Sequence, residues 1–482
     1  MTSARTTIAP SRLLRLVTCL AAAGLLAAAL AASAGAAKRP LITGFWEDNF
    51  LTTDDATREA WFGEAAKAGV RLVRINVRWR GVSPDAAPVP VETDPASPGY
   101  DWEEVDAAVR SAAARRMPVM FTVYTAPEWA EGAGEPANVN GPWKPDPAAY
   151  GRFGQALATR YSGSYPDPDR PGSTLPRVRY YEAWNEPNLD EYLAPQWQGK
   201  KSVGPGMYRT LLNSFYDGVK SAQRGAQVIA PATAPYGDLP GGTRTPPVQF
   251  LRRLLCLRGG KLRPVRCPVK ARFDILSHHP INSVAGPRRS ARSPLDASTP
   301  DIGRLRRVVR RAERLRRVLP AGKRRQVWGT ELWWETDPPD TVLGIPPARQ
   351  ARYTRLAAFV LWQQGVRVAL FYTMVDQPPT ANPLDSLDSG IYFSDGRRKP
   401  SFRAFRFPLA TQRLRGGRKL IWGEAPQRGR VRVQRRTRSG WRTFARARGR
   451  PNVPFTVRRR LRGGTAVRAI SRGVASPVVR VR

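Results

Sequence analysis

The chain has 482 residues, 41% of them hydrophobic and 24% charged, a globular composition long enough for one enzyme-sized domain and a smaller one. Its 45 Pro and 41 Gly follow no period, which excludes a collagen-like fibre and low-complexity sequence. The formal charge is +41, and 68 of the 79 basic residues are Arg, a bias that a GC-rich genome explains ahead of nucleic-acid binding.

Residues 1–36 carry Arg5, Arg12 and Arg15 and no acid, then an apolar run from Leu16 to Leu30, then Ala32-Ser33-Ala34-Gly35-Ala36. A basic start, an apolar middle and an A-x-A site describe a secretory signal, with an uncleaved anchor as the alternative. Thr18 before Cys19 does not make a lipobox, so a lipid anchor is not expected. No later apolar run is long enough to span a bilayer, so an exported or cell-wall-associated protein is expected. Signal removal would leave two cysteines, Cys256 and Cys267, around a short loop rich in Arg, Gly and Pro. In an exported protein they read as a disulfide, with two reduced thiols as the other reading.

From about residue 40 to 405, short apolar runs alternate with amphipathic helical stretches. The predicted strands are Leu41–Trp46, Leu72–Val77, Val119–Tyr124, Val178–Asn185, Gln227–Pro231, Phe273–Ser277, Gln326–Thr330 and Val368–Thr373. Thr53 and Asp54 can cap a helix that ends near Gly69, and Asp101 one that runs to Arg116. Over 304–319, Leu305, Val308, Val309, Ala312, Leu315 and Leu319 share one face, and the Arg residues between them read as a solvated helix back. Eight strands alternating with helices predict a (β/α)8 TIM barrel over 37–407. No Gly-rich dinucleotide or phosphate loop follows a strand. Residues 408–482 differ, with 22 basic residues and one acid, Glu424. Short β-like runs between Gly, Ser and Asn turns predict a small C-terminal all-β module there, against a disordered basic tail.

In such a barrel the active site forms at the C-terminal strand ends. Two of those ends stand out for their carboxylates: strand 4, VRYYEAWNEPN, at Glu186, and strand 7, QVWGTELWWET, at Glu331. Opposed carboxylates are what glycosidic cleavage requires, one protonating the leaving oxygen and one acting at the anomeric carbon. Glu335 lies past Trp333 and Trp334, beyond the predicted strand end. Glu182, further inside strand 4, reads as a buried ion-pair partner of Arg74. Asp376 reads equally as a sugar ligand or a loop cap. Trp46, Trp79, Trp129, Trp184, Trp197, Trp333 and Trp334 fall near strand ends, where flat aromatic faces stack on sugar rings. About half are expected to line the cleft, the rest to pack the core.

Trp184-Asn185-Glu186-Pro187 followed by Glu331 resembles the retaining glycoside hydrolases of clan A, and families 39 and 5 most. GVRLVRINVRW, YDWEEVDAAV, MPVMFTVYTAPEWA, FDILSHHP and GIYFSDGRRKPSFRAF resemble further stretches of those barrels in the same order. The resemblance implies that Glu186 is the general acid/base and Glu331 the nucleophile. It implies that Asn185 binds the sugar 2-hydroxyl, Arg74 orients the nucleophile, and His279 contacts the sugar or the carboxylates. Tyr372 stands where many relatives carry a Trp sugar floor, and Ile281 where many carry a Tyr. Trp184, Trp333 and Trp129 complete the expected substrate contacts. Double displacement would set the carboxyls about 5–5.5 Å apart.

The expected activity is therefore hydrolysis of O-glycosidic bonds of an oligo- or polysaccharide, with no metal and no cofactor. The alternative is a catalytically impaired carbohydrate-binding or cell-envelope protein on the same barrel. Nucleic-acid binding through the tail is a third reading, and it is not expected. The tail is expected either to tether the protein to an anionic cell-surface polymer or to be a structural appendage.

Overall fold

The structure is a computed structural model that describes residues 40–481 apart from 53, 87, 91, 140, 283, 381 and 383–385. The expected leader at 1–36, with Cys19, and the expected capping residue Thr53 lie outside the described residues. No helix among the described residues is long and apolar enough to cross a membrane.

Eight parallel strands pair in chain order, and the last returns to the first. They are β1 (Ile42–Trp46), β2 (Val73–Arg78), β3 (Val119–Tyr124), β4 (Tyr180–Ala183), β5 (Gln227–Thr233), β6 (Ile275–His278), β7 (Gln326–Leu332) and β8 (Val368–Tyr372). The helices are α1 (Asp55–Ala68), α2 (Glu103–Ala114), α3 (Pro147–Arg160), α4 (Gly204–Ala222), α5 (Pro247–Leu254), α6 (Ile302–Arg314), α7 (Pro347–Gln363) and α8 (Pro400–Arg406). This is the TIM barrel the alternating pattern predicts.

The edges differ from the prediction for local reasons. β4 stops at Ala183, because Trp184 (φ 69°) and Glu186 (φ 40°) leave extended geometry. β7 runs on to Leu332, so Glu331 lies within the strand. Helix α6 buries Leu305, Val308, Val309 and Ala312 as predicted but ends at Arg314. Arg316 (φ 51°) closes it, and Arg317 N–H bonds back to Ala312 O at 2.8 Å. The chain then pairs Val318–Leu319 with Ala271–Arg272. At the start of α1, Asp54 accepts from Ala56 N–H at 2.9 Å, and Gly69 ends that helix at φ 85°.

Strand alternation sorts the barrel walls. Val73, Ile75, Val77, Phe121, Val123, Leu276 and Phe371 belong to the large apolar core shared with the helices. Leu72, Met120, Ile229, Ile275, Trp328, Val368 and Leu370 form a separate apolar cluster. Two residues on from Leu72, Met120, Trp328 and Leu370 stand polar or aromatic side chains: Arg74 on β2, Thr122 on β3, Thr330 on β7 and Tyr372 on β8. The apolar plug therefore sits toward the strand starts and the polar groups toward the strand ends.

After α8, β9 (Leu409–Arg413), β10 (Arg418–Gly423) and β13 (Phe455–Arg460) form an antiparallel sheet. A second sheet contains β11 (Gly429–Thr437), β12 (Gly440–Gly449), β14 (Ala466–Ser471), β15 (Val474–Ala475) and β16 (Val479–Arg480). In β11, Val431 and Val433 are buried while Arg430 and Arg432 are exposed, so alternation gives a very basic segment its own core. Trp422 packs on Phe359 and Trp362 of α7, with ring centroids 5.4 and 5.9 Å away. Cys256 and Cys267 form a disulfide, with Cα atoms 5.9 Å apart.

Candidate active site

Arg74 organises the upper barrel. It is fully buried, and four of its contacts reach three other strands or their ends. Nε donates to Thr122 Oγ1 at 2.8 Å, Nη1 to Thr330 O at 3.0 Å and Glu331 Oε2 at 2.8 Å, and Nη2 to Asn185 Oδ1 at 2.7 Å. Glu182 completes the group: it accepts from Thr122 Oγ1 at 2.8 Å and lies 4.0 Å from Arg74 Nε. The single guanidinium thus faces two carboxylates, satisfying a buried charge through both pairing and hydrogen bonds.

The bend after β4 places Glu186. Trp184 N–H bonds to Val123 O at 2.8 Å, and Glu186 N–H crosses to Ala232 O of β5 at 3.1 Å. Left-handed backbone at two non-glycine residues is uncommon, and such conformations persist where surrounding contacts over-determine them. Glu186 and Glu331 are 9% and 8% exposed. His279 stands between them, with Nδ1 2.8 Å from Glu186 Oε1 and 3.7 Å from Glu331 Oε2. One oxygen of each carboxylate and a His279 nitrogen all lie within 4.8 Å of one another.

The two carboxyls sit in different fields. Burial pushes Glu186 up to about 8, with Glu191 adding to the rise and Arg74 opposing it from a distance. Burial also raises Glu331, but His279 and Arg74 oppose it, and Arg74 does so through a direct hydrogen bond. Burial lowers His279 to about 4, so the ring is neutral at pH 7. The site therefore holds a protonated carboxyl beside one whose ionised form a guanidinium favours. Three such groups could also surround a cation, but Arg74 already brings positive charge to Glu331.

The remaining expected residues divide. Tyr372 stacks on Trp46, with ring centroids 3.7 Å apart and planes within 5°, and Arg74 lies over Trp46 at 4.8 Å. Strand register explains this, since Trp46 pairs with Arg74 on one side and Tyr372 on the other. Trp333 is partly exposed. Trp184 corrects the expected substrate contact: its ring is fully buried against Tyr150, and Nε1 donates to Tyr192 O at 2.5 Å. It holds the loop that carries Tyr192. Trp129 packs edge-on against Trp79, 5.6 Å away, and is half-buried. Trp79 and Trp334 are core residues. Asp376 is tied to Lys399 Nζ at 2.6 Å and Gly390 N–H at 2.9 Å, which makes it a loop anchor. Glu335 lies with Asp340 and Asp388 rather than with the central pair. His278 bonds Thr233 Oγ1 at 2.9 Å and Ala297 O at 2.6 Å inside the wall.

Tyr192 lies in the field of both Glu186 and Glu331, and the expected contact Tyr372 in that of Glu331. Asp48, Arg78 and Glu47 escaped the sequence reading. Asp48 Oδ2 accepts from Tyr372 Oη at 3.4 Å, and Arg78 Nε donates to Tyr124 Oη at 3.4 Å. Arg78 was readable in principle, because it lies four residues beyond Arg74 on the same strand face. Glu47, directly after β1, accepts from Met374 and Val375 N–H at 2.7 and 3.1 Å and locks the ends of β1 and β8 together.

No family model matches this chain, and no curated protein matches it. Solved structures do. A family 39 glycoside hydrolase from the gut symbiont Bacteroides cellulosilyticus WH2 superposes with a TM-score of 0.55 at 17% identity, over 87% of this chain and 81% of that one. The chain shares its fold with that enzyme. A glucosidase from Croceicoccus marinus superposes with a TM-score of 0.50 at 16% identity, over 90% of this chain and 95% of that one. At these identities the likeness shows the shared barrel fold.

Proposed function

We propose that this protein is an exported glycoside hydrolase that cleaves O-glycosidic bonds of an oligo- or polysaccharide with retention of anomeric configuration. The observation that carries the reading is the placement of Glu186 and Glu331 with oxygens within 4.8 Å, both raised by burial but only Glu331 hydrogen-bonded directly to Arg74. That spacing supports direct attack over the wider separation at which an inverting mechanism places its intervening water.

In the first step Glu331 attacks the anomeric carbon while Glu186 gives its proton to the departing oxygen, releasing the aglycone as an alcohol and leaving a glycosyl ester on Glu331. In the second, Glu186, now a carboxylate, takes a proton from water as that water attacks the same carbon. The ester bond breaks, Glu331 is restored, and Glu186 is protonated again. Arg74 keeps Glu331 ionised and aimed, and it orients Asn185 for the sugar 2-hydroxyl. The Trp46–Tyr372 stack offers an aromatic wall for the ring. The leader-like 1–36 segment motivates export, and exposed Arg435, Arg436, Arg460 and Arg462 of the β module motivate attachment to an anionic surface polymer.

The test is labelling of the purified protein with a panel of 2-deoxy-2-fluoro glycosides bearing good leaving groups, read by intact mass and peptide mapping. A glycosyl adduct on Glu331 that disappears in Glu331→Gln is expected. An adduct on another residue, or hydrolysis that inverts the anomeric centre, would overturn the reading.

A further inference from the structure

Three adjoining hollows follow the barrel rim. The first, about 880 Å³, is lined by Arg78, Glu131, Val139 and Tyr192, the residue that senses both central carboxylates. The second, about 400 Å³, shares Val139 with it and is walled by Trp143, Asp190 and Trp197. The third, about 990 Å³, shares Trp197, Lys200 and Pro240 with the second and runs between α4 and α5.

The charge of the third hollow is one-sided. Lys200, Lys201, Arg209, Arg252, Arg253, Arg258 and Arg266 line it, and no acidic residue does. The first hollow differs, because Arg80 there is paired with Asp85 and Glu131. Among the described residues, none of the seven cations of the third hollow is paired with a carboxylate. Arg209 is 8% exposed. Its Nη1 donates to the carbonyls of Arg253 and Leu254 at 3.0 and 3.3 Å, while its buried Nε has no partner. Arg252 Nε is likewise buried without a partner. Burial lowers both guanidinium groups, and for neither does an acid offset it. Enclosing a guanidinium without a counter-charge is unfavourable, and an incoming anion offsets that cost. The Cys256–Cys267 disulfide closes the loop that presents Arg258 and Arg266, so the groove is built on a fixed wall.

We infer that the groove between α4 and α5 is an extended substrate site that takes the anionic groups of an acidic polysaccharide lying along the rim from the central carboxylates. The inference rests on the hydrolase reading above and names its substrate class: a glycan bearing carboxylate, sulfate or phosphate groups outside the sugar being cleaved. Trp197 supplies an aromatic face where the second and third hollows meet, and Gln249 a neutral hydrogen-bonding group within the third.

The test uses the full chain carrying Glu331→Gln, so that bound glycan is not consumed, and calorimetric titration with a long oligogalacturonate and a neutral oligogalactan of equal length. The triple variant Arg252→Gln/Arg258→Gln/Arg266→Gln lies on the groove surface, and Arg209→Gln tests the buried member. Arg435→Gln/Arg436→Gln/Arg460→Gln in the β module is the control for general charge. The groove triple is expected to weaken oligogalacturonate binding about tenfold or more and flatten its salt dependence, leaving the neutral chain unaffected. In the active enzyme it is expected to raise KM for the acidic polymer with kcat retained, and to leave small aryl glycosides unchanged. Unaltered binding in the groove triple, or an equal loss in the module control, overturns the inference. So does displacement by monomeric galacturonate or inorganic phosphate at matched charge, which would make this a small-anion site. A Glu331 adduct together with a silent groove variant would leave the hydrolase reading standing and remove this one. Groove-dependent oligogalacturonate binding without any adduct or hydrolysis would remove the hydrolase reading and leave an anionic-glycan groove.

Discussion

His279 Nδ1 and Glu186 Oε1 lie 2.8 Å apart inside the barrel mouth. Burial keeps the ring neutral and the carboxyl protonated at pH 7. In the proposed mechanism the acid is thereby loaded before substrate arrives.

That pairing sets the pH profile. The proposed mechanism needs Glu186 protonated and Glu331 ionised. With Glu186 at about 8, the alkaline limb of kcat/KM is expected near that pH. The acid limb belongs to Glu331, which burial raises, so it falls above the ordinary carboxylate range. A profile that keeps rising beyond pH 9 contradicts the assignment of Glu186 as the acid.

Glu186→Gln removes the proton donor and keeps the shape. A loss of about 10²–10⁴-fold is expected on substrates with poor leaving groups. Glycosylation by aryl glycosides with activated leaving groups is expected to be spared, because those groups depart without protonation. Comparing burst amplitudes across leaving groups of graded acidity checks this, and a uniform loss would contradict it.

Arg74→Met leaves Glu331 and Glu182 facing one another without a guanidinium. Breaking a buried pair by removing one partner costs about 3–5 kcal/mol, so this variant is expected to be strongly destabilised. Arg74→Lys keeps the charge but not the fork that reaches Thr122, Asn185 and Glu331 together. It is expected to fold, lose kcat, and move the acid limb to higher pH as Glu331 loses its closest donor. Thermal melting and a pH–rate profile of the Lys variant separate the two effects.

On the proposed reading Trp46 and Tyr372 provide a ring contact rather than chemistry. Tyr372→Ala is expected to raise KM by about three- to tenfold, the equivalent of the roughly 0.5–1.5 kcal/mol of one aromatic contact. Steady-state kinetics check it, and a fall in kcat alone would place Tyr372 in the reacting machinery instead.

Glu424, the one acid of the basic β module, is buried against Arg71, and burial pushes it up to about 8. The folded state therefore holds a proton that the unfolded chain releases above about pH 4.5, and stability falls as pH rises from there toward 8. Glu424→Gln is expected to leave stability unchanged near pH 4 and to raise it at pH 9, by on the order of a few kcal/mol. Melting curves at the two pH values test this; an equal effect at both would contradict it.

Sequence alone determined the repeating elements and singled out a candidate pair of carboxylates. Strand and helix periods differ, so eight alternations could be read as a barrel, and Glu186 and Glu331 stood out near the ends of β4 and β7. Short β-like runs between Gly, Ser and Asn turns likewise marked a folded module within the basic tail. Other features were decided by tertiary structure. The turn at Trp184 and Glu186 depends on bonds to Val123 and Ala232 on neighbouring strands, and it puts Trp184 in the core although its motif suggested a sugar contact. Tyr192, Asp48 and Arg78 acquire meaning through neighbours distant in the chain. The basic groove joins Lys200, Arg209, Arg252 and Arg266 from a loop, two helices and a disulfide-closed excursion. Periodicity is local and survives in one dimension, whereas convergence of charge is set by how the helices close around the barrel.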